Sequence, residues 1–215
     1  MRFDRTRRNP AIWALVIGAF LLYAWFEGSL FGDLDQIADR PGINPALAGA
    51  DIGGPFSLVD HTGKPVSEKD YADKFKLVFF GYTWCPDICP TELLVIGQAM
   101  EALGDDAEKV VPLFITIDPA RDTAEKLAAY VPHFHPRLVG LTGTEEQVSA
   151  AAKAYRVYYR RAEENPRMVD EDEDDAYLMD HSVYIYLMSP DDQYLQHFVR
   201  GQGPEKIAEE VRNHL

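Results

Sequence analysis

The only two cysteines of the 215-residue chain, Cys85 and Cys89, stand four residues apart in Gly81-Tyr82-Thr83-Trp84-Cys85-Pro86-Asp87-Ile88-Cys89-Pro90. An apolar run, 76–82, precedes them and reads as a buried strand; apolar residues at helical spacing, 90–103, follow. The pair therefore falls where a strand feeds a helix. Unpaired backbone N–H groups and the macrodipole at a helix N-terminus favour thiolate over thiol, so both sulfurs are expected to be reactive. In a first helical turn, positions i and i+4 share a face, which would aim both sulfurs at one point. Two thiolates make a soft site that suits Cu(I) or Zn. The same pair could instead cycle through a disulfide as a thiol–disulfide oxidoreductase. A purely structural disulfide is a weaker reading, because so short a loop gains little chain entropy.

A metal held by two sulfurs needs a third ligand, and six histidines are available: His61, His133, His135, His181, His197 and His214. His181 is the best placed. It precedes the apolar run 182–188, expected to lie beside the Cys85 junction, and Asp180 is expected to orient its ring. His133 and His135 lie between Pro132 and Pro136 in a loop and read as surface residues.

The elements that must position these groups alternate along the chain. Residues 55–60 and a turn at His61-Thr62-Gly63-Lys64 open a hairpin ending near Val66. Strand patterns at 76–82, 110–117 and 138–141 are interleaved with helical patterns at 90–103, 123–131 and 145–155. The runs 182–188 and 194–199 flank Ser189-Pro190-Asp191-Asp192, a hairpin signal, and 204–213 closes as a helix. Alternating strands and helices imply a parallel α/β sheet. With the closing hairpin and helix this is the thioredoxin-like plan, with extra N-terminal strands.

The chain divides by composition. Residues 11–26 carry no charge and follow Arg2, Arg5, Arg7 and Arg8, so residues 1–27 read as a cytoplasmic N-terminus and one transmembrane helix. No small-x-small cleavage site follows the apolar core closely, so the segment is expected to remain as an anchor. Residues 28–51, rich in Gly, Pro, Asp and Ala, read as a linker, and 52–215 as the folded domain. Residues 1–26 hold four of the 21 basic and one of the 35 acidic residues, leaving 17 basic and 34 acidic, a formal charge of −17. Such a surface repels nucleic acid and steers cations or basic proteins. Residues 163–175, with eight acids and one Arg, read as an exposed acidic loop.

Five motifs, in order, closely resemble the Sco/SenC family. They are the cysteine segment 81–90, Ile115-Thr116-Ile117-Asp118-Pro119-Ala120-Arg121-Asp122-Thr123, Leu138-Val139-Gly140-Leu141-Thr142-Gly143, Ala154-Tyr155-Arg156-Val157-Tyr158-Tyr159 and Asp180-His181-Ser182. The resemblance spans about residues 56–203. It implies a membrane-anchored thioredoxin-fold protein that binds copper through Cys85, Cys89 and His181 and helps assemble the binuclear copper centre of cytochrome c oxidase. The copper is Cu(I), with Cu(II) as a second state. The implied partners are the copper-bearing oxidase subunit, another copper chaperone as donor, and the bacterial inner membrane, with the soluble domain in the periplasm. Asp118 matches a family acid that serves either as a turn cap or in function. The competing reading is a periplasmic thiol–disulfide oxidoreductase acting on the cysteines of a copper acceptor.

Overall fold

A computed structural model describes residues 52–162 and 177–215. The expected anchor, linker and acidic loop lie outside the described residues. No helix among those described is long and apolar enough to cross a membrane.

At the centre lies β3 (Phe75–Gly81), in which every residue after Phe75 is buried. It pairs in parallel with β4 (Val110–Thr116), buried throughout, with Phe79 opposite Phe114. A strand covered on both faces has no solvent side for polar alternation, which explains the nearly continuous apolar runs. Beyond β4 lies β5 (Val139–Thr142), also parallel. The N-terminal hairpin of β1 (Ser57–Asp60) and β2 (Pro65–Ser67) joins antiparallel at β5. On the other side of β3, the hairpin of β8 (Tyr184–Met188) and β9 (Tyr194–Val199) is antiparallel. The seven strands run β2-β1-β5-β4-β3-β8-β9.

Among the described residues four α-helices cover the sheet: α1 (Ile88–Leu103), α2 (Ala124–Tyr130), α3 (Glu145–Ala154) and α4 (Pro204–Arg212). α1 buries Cys89, Leu93, Ile96, Met100 and Leu103, one stripe at helical spacing. Successive side chains of a strand point to opposite faces. Phe79 accordingly stacks on Phe114, which meets Tyr130 of α2, whereas Phe80 packs on Tyr155, just past α3. Thr144 opens α3 with a capping box, exchanging hydrogen bonds with Gln147. The thioredoxin-like α/β plan with extra N-terminal strands is thus the fold observed.

One element was not foreseen. His181 precedes the strand beside β3, as expected, but it also ends β7 (Met179–His181), which pairs with β6 (Tyr159–Arg161) in a separate two-stranded ribbon. Three residues per strand are too few for periodicity to register.

Candidate metal centre

The turn after β3 carries Cys85, and the first turn of α1 carries Cys89. Asp87 is the N-cap, but its side chain makes no capping hydrogen bond. The sulfur of Cys85 takes that place: the Cys89 N–H donates to Cys85 Sγ at 3.3 Å. One of the helix's orphan donors is thereby satisfied by a group that gains from negative charge. The two sulfurs do not share a helical turn, as i,i+4 spacing had suggested. Cys85 folds back from outside the helix onto its N-terminus.

His181 completes the cluster. The ribbon sets its Nε2 at 3.4 Å from Cys89 Sγ. Its Nδ1 lies 2.8 Å from the Ser182 carbonyl oxygen, which can only accept, so Nδ1 donates there and Nε2 is the nitrogen turned toward the sulfurs. Phe79 and Tyr82 stand edge-on to the imidazole, with centroids 6.3 and 6.1 Å away. Tyr82 also fixes the ribbon, its hydroxyl accepting the Met179 N–H at 3.1 Å. Asp180, expected to orient the ring, instead faces outward and pairs with Arg160 at 3.4 Å. The Ser182 carbonyl does the orienting.

The two sulfurs, both expected to be reactive, sit in different surroundings. A hydrogen bond from the Cys89 thiol, aided by His181 and by N–H groups of the turn, holds the Cys85 thiol far below its ordinary range despite partial burial. The same contact with Cys85, and then burial, pushes the Cys89 thiol upward. Cys89 is fully buried, whereas Cys85 is partly exposed. Of the two, Cys85 is the sulfur biased toward thiolate and Cys89 the one biased toward thiol.

A sulfur and a nitrogen bound to one ion at about 2.3 and 2.0 Å would stand roughly 3.5 Å apart, close to the Cys89–His181 separation. Among the described residues no three His, Cys, Asp or Glu side chains are spaced to hold an ion outright. An ion taken up here would replace the mutual contacts of Cys85, Cys89 and His181. Glycine at position 81 leaves the room: a Cβ there would lie 2.9 Å from Cys89 Sγ.

The other sequence candidates stand apart. His135 is buried, not superficial; its Nδ1 accepts the Arg137 N–H at 3.1 Å and its Nε2 faces Glu101 at 3.4 Å. His133 is exposed, as expected. Asp118 is buried in an ion pair with Arg121 at 2.5 Å, accepts the Tyr177 hydroxyl at 2.6 Å, and caps the following turn through its carbonyl. Sequence reasoning missed Asp122, which is buried and bonded to Thr83 two residues before Cys85. Asp122 stands in the 115–123 motif beside Asp118, and nothing in the local pattern points it at Thr83.

The profile of the SCO1/SenC family matches residues 44–215. The mitochondrial SCO1 homolog of Mus musculus is 45% identical over 220 residues, covering 98% of this chain and 73% of its own. Other curated relatives are longer, so that the chain spans 53% and 61% of two of them. Arabidopsis thaliana ScoI, solved with copper bound, is 41% identical with a TM-score of 0.67, covering 75% of this chain and 99% of its own. Bradyrhizobium japonicum ScoI, also with copper bound, is 40% identical with a TM-score of 0.68, covering 76% and 99%. A two-cysteine junction with a ribbon-borne histidine, on a fold shared with these proteins and under one family profile, places the chain by descent: it belongs to the SCO1/SenC family.

Proposed function

We infer that this protein is a membrane-anchored copper chaperone that takes copper through Cys85, Cys89 and His181 and helps assemble the binuclear copper centre of cytochrome c oxidase. The observation that carries the reading is the cluster itself. Two cysteine sulfurs and an imidazole whose Nε2 is turned toward them meet at the end of β3. Two sulfurs and one imidazole form a soft, low-coordinate donor set that suits Cu(I) over harder ions. The copper-bound ScoI relatives support the same metal. The copper is cargo, received from a donor chaperone and passed to the thiols of the oxidase subunit. Exchange begins at Cys85, the sulfur that solvent reaches, while the fully buried Cys89 would release the ion last. The uncharged segment 11–26 anchors the protein in the bacterial inner membrane with its domain in the periplasm.

The asymmetry of the two thiols favours a second activity at the same site. The Cys85 thiolate attacks a disulfide of the acceptor and forms a mixed disulfide. Cys89, losing its proton, then displaces the acceptor's sulfur, leaving a Cys85–Cys89 disulfide and a reduced acceptor. His181 separates the two roles. In His181→Ala, copper binding is lost while the cysteines still cycle; Cys85→Ser and Cys89→Ser lose both. Cu(I) competition titration beside thiol counting after oxidation and re-reduction checks this, and intact copper binding in His181→Ala would refute the third ligand.

A further inference from the structure

The loop that delivers Cys85 is held by a buried carboxylate. Asp122, fully buried, accepts the Thr83 N–H at 2.9 Å, the Thr83 hydroxyl at 2.5 Å and the Thr116 hydroxyl at 2.7 Å. Its own backbone is fixed as well: its N–H donates to the Asp118 carbonyl at 2.9 Å, and its carbonyl accepts the Thr142 hydroxyl at 2.7 Å. The residue therefore ties together the ends of β3, β4 and β5, with one carboxylate facing the chain two residues before Cys85. A turn of this kind has no ladder of its own, so whatever fixes Thr83 sets where the Cys85 sulfur sits above the Cys89 N–H. Burial pushes the Asp122 carboxyl upward, and the three donated hydrogen bonds oppose that shift.

We propose that Asp122 is a positioning residue for the dithiol: through Thr83 it holds the Cys85 sulfur on the N-terminus of α1, which stabilises the reduced pair against the disulfide. The proposal rests on Cys85 and Cys89 being the working pair of the site. It needs no metal. A dithiol whose reduced form is stabilised is a stronger oxidant than one without that support. Loosening the loop removes support from the reduced form, so the pair becomes easier to oxidise.

The test is the exchange of the full-length chain with glutathione, in which the protein disulfide and two glutathione thiols give the dithiol and one glutathione disulfide. Asp122→Asn and Thr83→Val should each move the equilibrium about tenfold toward the protein disulfide, the scale of one charge-assisted hydrogen bond. Thr83→Ser, which keeps the hydroxyl, should restore the wild-type constant. Thr116→Val removes a bond to the same carboxylate while leaving both Thr83 hydrogen bonds in place. It should lower the unfolding temperature while leaving the equilibrium within about twofold. Should Asp122→Asn fail to fold, the Thr83 pair decides the matter alone. The proposal is overturned if Thr83→Val leaves the equilibrium unchanged, or if Thr116→Val moves it equally. Failure of the wild type to bind Cu(I) would strike the copper reading and leave this one standing.

Discussion

Cys85 and Cys89 are separated by three residues and by opposite chemistry. One sulfur accepts the hydrogen bonds of a helix N-terminus; the other lies beneath it, fully buried, and supplies a proton. The sign of the pH dependence follows. A thiol held below its ordinary range stays ionised as the pH falls, whereas a free thiol loses about tenfold of its thiolate per unit below about 8.5. Alkylation of Cys85 by iodoacetamide should therefore remain nearly constant between about pH 8 and pH 5, with Cys89 unmodified throughout. Peptide mapping of the alkylated protein reads both. Equal labelling of the two cysteines, or a steep fall for Cys85, would remove the assigned asymmetry. All three proposed ligands were legible as candidates in the sequence, because cysteine is scarce and His181 stands at an element boundary. Their division of labour was not, since it depends on burial and on which group donates to which.

Two elements do the positioning, and each has a residue whose change should register at the site. Gly81 ends β3 where a Cβ would meet Cys89 Sγ at 2.9 Å, a Phe79 ring carbon at 3.0 Å and a Phe114 ring carbon at 3.1 Å. Gly81→Ala should cost about 1–3 kcal/mol of stability, the range for overpacking a close-packed interior, and should displace Cys89. Denaturant unfolding and thiol reactivity check the two effects. At the ribbon, Tyr82→Phe deprives the Met179 N–H of its acceptor and should cost about 1–3 kcal/mol. The change frees the strand that carries His181, so amide exchange at Met179 should quicken; unchanged exchange would mean the ribbon is held elsewhere. The long elements could be read in advance because β3, β4 and α1 bury whole faces and so show their period. The ribbon could not: Tyr159-Arg160-Arg161 and Met179-Asp180-His181 are defined by each other across the chain, not by any local pattern.

At the scale of the whole molecule, an acidic chain of formal charge −14 presents its thiolate at the mouth of a sheet. Association with a basic acceptor should be steered by that charge, and its rate should fall by about tenfold or more between low and high salt. Stopped-flow transfer at increasing ionic strength checks this; a flat response would exclude steering. The folded domain contains every proposed ligand, whereas the expected anchor contributes none, so the copper chemistry should belong to the fragment beginning near Ile52. The decisive measurement is titration of that reduced fragment with Cu(I) and Cu(II), followed by stoichiometry and absorption spectroscopy, beside His181→Ala. One tightly held copper per chain, with sulfur-to-copper charge transfer in the Cu(II) form and loss of binding in His181→Ala, is the predicted result. No retained copper, or equal retention in the variant, would contradict the site.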